Sequence, residues 1–230
     1  MNTVKKTMKT AVGVTTTALL GGAMVSAPAA AATPATADTE GDAPPPSASV
    51  QADINGDGGP ELVTLRESGA EHVVSARFAD HSYVESAFPA DSSGRFLLEP
   101  RVADLNRDGT AEIIAATEAG ANTVTFTAFT YVPEQGLVRI SDAEGAAFDF
   151  HDGGGATARV SYGCYGPDDD GATFRIVKAQ RSDVDGSYHG VRTTYALHGD
   201  TFVRSGQDAF TGLSEEAPEL QADPASCDPS

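Results

Sequence analysis

A nine-residue stretch occurs twice in this chain of 230 residues. It reads Asp53-Ile54-Asn55-Gly56-Asp57-Gly58-Gly59-Pro60-Glu61, and again Asp104-Leu105-Asn106-Arg107-Asp108-Gly109-Thr110-Ala111-Glu112. The first aspartates stand 51 residues apart, at 53 and 104. Each copy runs directly into an apolar segment, Leu62-Val63-Thr64-Leu65 and Ile113-Ile114-Ala115-Ala116. A polar loop repeated at this interval, each time feeding a short apolar run, commits the chain to two similar loop–strand units.

The residue types point to a hard cation. Ca²⁺ takes about six to eight oxygen ligands from carboxylates, amide oxygens and backbone carbonyls. Asp53, Asn55, Asp57 and Glu61 offer side-chain oxygens at positions 1, 3, 5 and 9, with the Gly59 carbonyl at position 7. Asp104, Asn106, Asp108, the Thr110 carbonyl and Glu112 repeat the set, so about two ions are expected. Gly58 and Gly109 at position 6 allow the sharp turn, since glycine adopts positive φ without a Cβ penalty. The apolar residue at position 2, Ile54 or Leu105, points away from such an ion and anchors the loop to a core. The competing reading is a pair of Asx turns without an ion, because N-x-D-G is an ordinary turn signal. An EF-hand is excluded: its bidentate Glu would fall on Thr64 and Ala115, and no helix follows.

The duplicated D-[IL]-N-x-D-G-x-x-E loop resembles the FG-GAP and VCBS repeats, the calcium-loop blades of integrin-type β-propellers and many bacterial secreted proteins. The resemblance covers about 53–67 and 104–118 and is loose elsewhere. Two departures stand out: position 9 is Glu where the family often has Asp, and no Phe-Gly pair precedes either loop. It implies propeller-like repeats and ligand binding through the loops between strands.

The rest of the pattern is all-β. Short runs of β-favouring residues separated by turn residues predict strands at about 62–67, 73–79, 95–103, 112–118, 123–132 and 137–141. Further strands are expected at about 147–150, 156–163, 173–180, 190–197 and 201–205. Val124-Thr125-Phe126-Thr127-Ala128-Phe129 alternates with period two, and no segment carries a sustained helical stripe. Asp149-Phe150-His151-Asp152-Gly153-Gly154 looks like a third loop copy with broken ligand spacing and reads better as a Gly-rich turn. Residues 53–210 hold material for about three blade equivalents, fewer than a closed ring needs. An open or incomplete propeller, one completed by a dimer, or a compact sandwich borrowing the loops all remain open.

Residues 1–32 read as a signal peptide: Lys5, Lys6 and Lys9 precede an apolar run from Ala11 to Val25, and cleavage is expected near Ala32. Residues 33–50, rich in Ala, Thr and Pro, read as a disordered linker, with the β domain spanning 51–230. Cleavage leaves 12 basic against 33 acidic side chains, a net charge of −21. That balance argues against nucleic acid as a partner, since phosphate binding needs a basic footprint. No membrane span is expected in the mature chain. The two cysteines, Cys164 and Cys227, are expected to pair as a disulfide that ties the C-terminal tail to the last sheet.

Signatures of catalysis are missing. The five histidines are scattered, and neither H-E-x-x-H, G-x-S-x-G, a P-loop nor a dinucleotide fingerprint occurs. Asp168-Asp169-Asp170-Gly171 and Asp183-Val184-Asp185-Gly186 lack the full ligand set and read as acidic turns. The tyrosines of the last third read as strand residues packing a core. The expected function is therefore an exported, non-enzymatic calcium-binding module with an extracellular protein or glycan, including cell-wall material, as its partner. The alternatives are a secreted, polysaccharide-active hydrolase with structural calcium, and a signal or inhibitor protein acting on an envelope partner.

Overall fold

Strand β2 (Glu61–Ser68) buries Val63 and Leu65 and turns Leu62 outward, the pattern of a strand with one wet face. In β6 (Glu112–Ala119) the run Ile113-Ile114-Ala115-Ala116 is buried throughout. That difference sets the architecture, because unbroken burial requires partners on both faces of a strand. The computed structural model describes residues 46–89, 97–166 and 173–229, all within one compact unit. The stretches read from the sequence as signal peptide and linker up to residue 45, and the Asp168–Gly171 segment read as an acidic turn, lie outside the described residues.

The first four strands, β1 (Ser47–Ala52), β2, β3 (Glu71–Arg77) and β4 (Tyr83–Pro89), form an antiparallel meander. A second meander follows: β5 (Arg101–Ala103), β6, β7 (Thr123–Val132) and β8 (Gly136–Arg139). In both, the nine-residue loop joins the first strand to the second. The ten-residue β7 is shared along its outer edge. Its later half pairs with β8, and Thr123–Thr127 pairs with β10 (Asp149–Gly154). The sheet then runs through β11 (Ala158–Tyr165), β12 (Thr173–Arg181), β13 (Tyr188–His198) and β14 (Thr201–Leu213). Strand β9 (Ser141–Asp142) lies parallel to the start of β14. The ladder breaks at Ile140, between β8 and β9, so the sheet curls without closing.

Two cores flank the second meander. Ile113, Ala115 and Phe129 face the first sheet, packing with Val63, Leu65, Val74, Ala76 and Phe88. Ile114, Ala116, Phe126 and Ala128 face the other way into an aromatic core with Phe148, Phe150, Tyr162, Phe174 and Phe202. Phe150 sits 4.7 Å from Tyr162 and 5.0 Å from Phe174 by ring centroids, both edge-on, an arrangement aromatic quadrupoles favour. A third cluster joins Val177, Tyr188 and Phe210 to Leu220 and Ala222 of the returning C-terminal tail.

The all-β expectation holds: the described residues form antiparallel sheets with one parallel pair, and only two short 3-10 helices, Pro218–Leu220 and Pro224–Cys227. Several details differ from the sequence reading, among them the strand expected at 95–103, which is limited to Arg101–Ala103, with 97–100 in no regular structure. The first strand begins at Ser47, inside the stretch read as linker, because Ser47–Ala52 supplies the edge partner of β2. Strand β4 was not expected, since its outward positions are exposed and only Phe88 is fully buried. Residues 149–154 form a strand rather than a Gly-rich turn: they pair with β7, and Phe150 is buried in the aromatic core.

The disulfide forms as expected. Cys164 of β11 is bonded to Cys227, closing a loop with a sequence separation of 63. Both sulfurs are buried in the aromatic core, and the Cys164 N–H donates to Ser226 Oγ at 2.8 Å. Replacing both cysteines by serine is expected to cost about 2–5 kcal/mol, the usual range for a native disulfide. Denaturant unfolding followed by circular dichroism measures this, and an unchanged midpoint would contradict it.

Candidate functional site

Each acidic loop is fixed at its second residue. Ile54 is 2% exposed and lies in the core between the meanders, and Leu105 is fully buried in the aromatic core. The anchoring role expected of position 2 is what the packing displays. Of the polar residues around it, Asp104 and the two position 9 glutamates are buried, and the others lie at the surface or partly covered.

The loop backbone turns its N–H groups onto its own acids. Asp53 accepts from Gly56 and Gly58, each at 2.8 Å, and Asp104 accepts from Asp108 and Gly109, each at 3.1 Å. Asn55 Oδ1 accepts from Asp57 N–H at 2.9 Å, and Asn106 Oδ1 from Asp108 N–H at 3.1 Å. Asp57 Oδ1 accepts from Gly59 N–H at 2.7 Å. Its counterpart Asp108 accepts from the N–H of Thr110 at 2.8 Å and from the Thr110 hydroxyl. Gly58 at φ +85° and Gly109 at φ +88° make this curl, a backbone that side-chain-bearing residues resist.

Position 9 has a role the sequence did not reveal. Glu61 Oε2 accepts from Ile54 N–H at 3.0 Å, and Glu112 Oε2 from Leu105 N–H at 2.7 Å. Both glutamates are buried, 3% and 1% exposed. They close the base of each loop from beneath and hold positions 2 and 9 together. The motif marks position 9 as an oxygen donor, and only packing shows which way it turns.

Burial pushes the Glu112 carboxyl up to about 8, with the charges of Asp108 and Asp104 adding to it against hydrogen bonds from Leu105 and Thr130. Glu61 is raised by burial and by the charges of Asp57 and Asp53, against the bond from Ile54. In each loop the aspartates therefore act on the glutamate as unneutralised charge. For Asp108, burial is outweighed by hydrogen bonds from Thr110 and Asn106, and its carboxyl stays below the usual range.

The two loops touch. Ala111 N–H of the second donates to the Asp53 carbonyl of the first at 2.8 Å. A Cβ on Gly56 would lie 2.8 Å from Thr110 Cγ2, so glycine is what allows the approach. The second loop is also held from the C-terminal tail: Asp104 N–H donates to the Cys227 carbonyl at 2.9 Å. Arg107, at φ 57°, lays its guanidinium against Gly166. Most of these links run through backbone atoms, which leave no mark in the sequence.

No known protein family, curated protein or solved structure matches this chain. The loops are judged on their own chemistry. Their donors are all oxygen, which suits Ca²⁺ or Mg²⁺ and no soft metal. Among the described residues, no three His, Cys, Asp or Glu side chains converge tightly enough to hold a metal as they stand. The amide Nδ2 groups of Asn55 and Asn106 lie against Asp57 and Asp108 at 3.0 and 2.8 Å, where they partly offset the carboxylates.

Other sites considered in the sequence are resolved by packing. Asp185 accepts from the Ser187 N–H and hydroxyl within the β12–β13 turn, as an acidic turn residue does. Tyr162 and Tyr188 are fully buried core residues. No helix among the described residues is long and apolar enough to cross a membrane.

Two outcomes follow. A carboxyl held above its unfolded value stabilises the fold below that value and loses the contribution as pH rises. In chelator, Glu112 should make stability fall between pH 4.5 and about 8, and Glu112→Gln should flatten that slope. Thermal unfolding at a series of pH values tests this, and superposable profiles would contradict it. Gly56→Ala, at φ +73° and crowding Thr110, should cost about 1–2 kcal/mol; an unchanged unfolding midpoint in denaturant would contradict the loop contact.

Proposed function

We propose that this chain is an exported, non-enzymatic calcium-binding module of the FG-GAP/VCBS type, in which two cations brace two blade-like meanders of an open, incomplete propeller. The observation that carries the reading is the equivalence of the two loops in sequence, place and bonding. Both join the first and second strands of a meander, both anchor position 2 in a core, and both close with the position 9 carboxyl on the position 2 N–H. Coincident Asx turns have no reason to share the whole pattern.

Asp53, Asn55, Asp57 and Glu61, with the Gly59 carbonyl, would hold one ion. Asp104, Asn106, Asp108 and Glu112, with the Thr110 carbonyl, would hold the other. The ion supplies positive charge where the carboxylates now act on one another. This chain's residues orient the oxygens, and the anchored Ile54 and Leu105 pass that order to the cores. The exported, disulfide-bonded setting supports an extracellular or cell-wall ligand, protein or glycan, bound through the loops between strands.

Extracellular calcium modules bind at roughly 10⁻⁴–10⁻³ M. At a hundredfold excess over the dissociation constant, each site would add about 2.7 kcal/mol of stability. Calorimetric titration of the mature domain is expected to show two equivalents of Ca²⁺, both lost in Asp57→Ala/Asp108→Ala. Absence of binding by the unaltered domain, or full binding by the double variant, would overturn the proposal.

A further inference from the structure

The two acidic loops meet around one residue of the second. Thr110 presents its γ2 methyl to Gly56 of the first loop, where a Cβ would lie 2.8 Å from it. Its hydroxyl donates to Asp108 of its own loop. Its carbonyl belongs to the peptide group whose N–H, on Ala111, donates to the Asp53 carbonyl at 2.8 Å. No peptide bond among the described residues is cis, so this carbonyl points away from the first loop while the N–H points toward it.

The connection continues by one more step. The Asp53 carbonyl shares its peptide group with the Ile54 N–H, which donates to Glu61 Oε2 at 3.0 Å. Two peptide groups in series therefore link position 7 of the second loop to position 9 of the first. Ala111, Ile54 and Glu61 are 5%, 2% and 3% exposed, which keeps solvent from these bonds. Hydrogen bonds in a chain polarise one another, and a low local dielectric strengthens each. The first loop cannot return the bond in kind: its positions 7 and 8 are Gly59 and Pro60, and proline has no N–H to give.

We infer that the two loops are one coupled unit, in which the Thr110–Ala111 and Asp53–Ile54 peptide groups make the order and the cation affinity of the first loop depend on the second. The cation part rests on the calcium reading of the loops; the coupling of their order does not. Charge drawn from the Thr110 carbonyl makes the Ala111 N–H a stronger donor. That donor pulls on the Asp53 carbonyl, and the bond from Ile54 to Glu61 firms in turn. The packing of Thr110 on Gly56 steadies the same loop, because the Gly56 N–H donates to Asp53 Oδ1 at 2.8 Å.

The test is amide NMR of the ¹⁵N-labelled mature domain. In chelator, Ala111→Pro removes the one N–H, with Pro60 as precedent for proline at this position. Amide exchange at Ile54 should quicken about fivefold, the low end of measured couplings between sites, with exchange in β13 unchanged. Thr110→Ser keeps the hydroxyl and loses the methyl, and should quicken Ile54 by a smaller factor; it decides the matter where Ala111→Pro does not fold. With calcium added, Asp57→Ala disables the first loop alone, and filling the second should still move the Ile54 and Ala111 amide protons downfield. The first loop should bind calcium about fivefold more weakly in Ala111→Pro, which leaves every ligand and charge of both loops in place. Unchanged Ile54 exchange in chelator overturns the coupling. Calcium shifts at 104–112 with none at Ile54 in Asp57→Ala overturn its extension to the cation. No calcium shift at either loop of the unaltered domain overturns the calcium reading, and the chelator result then decides the coupling by itself.

Discussion

Burial of the β6–β7 ribbon on both faces is the constraint on which the remainder depends. Odd-numbered Ile113, Ala115 and Phe129 complete one core, and even-numbered Ile114, Phe126 and Ala128 complete the other. A one-residue slip in this ribbon would exchange the two sets and disrupt both cores at once. Its register is therefore held more firmly than that of the outer strands. The second acidic loop enters β6 directly, through Glu112, and inherits that rigidity. The first loop takes part of it by contact, through the bond from Ala111 to the Asp53 carbonyl.

The two loops differ in how deeply they are set. Burial raises the carboxyls of both glutamates, that of Glu112 to about 8, and the two are covered differently. Glu61 lies at the head of a strand with a wet outer face, whereas Glu112 heads a strand covered on both. One motif thus sits in two electrostatic settings. The second loop is also tethered at Asp104 by the tail and leans on Gly166 through Arg107, contacts the first loop lacks among the described residues.

Much of this was legible in the sequence. The loops, the strand pattern of β6, β7 and β11–β13, the anchoring of Ile54 and Leu105, and the Cys164–Cys227 pairing followed from periodicity, turn chemistry and cysteine count. What escaped did so for physical reasons. Strand β4 has one strongly buried side chain, so its alternation carries little apolar signal. Gly153 and Gly154 stand where the strand passes close to neighbouring backbone, and composition alone made residues 149–154 look like a turn. The inward bend of Glu61 and Glu112, and the meeting of the loops, depend on tertiary packing that no local rule encodes.

The bond from Asp104 N–H to the Cys227 carbonyl has a consequence for the order in which the chain can assemble. Strands β1 to β4 pair with their sequence neighbours, and contacts this local can form early. The second loop is complete only once Cys227 has come back to pair with Cys164 and its carbonyl meets Asp104. Until then, the first loop lacks the finished neighbour on which its Asp53 carbonyl and Gly56 rest. The two repeats are alike in sequence, yet the later one is finished only when the far end of the fold comes back to it.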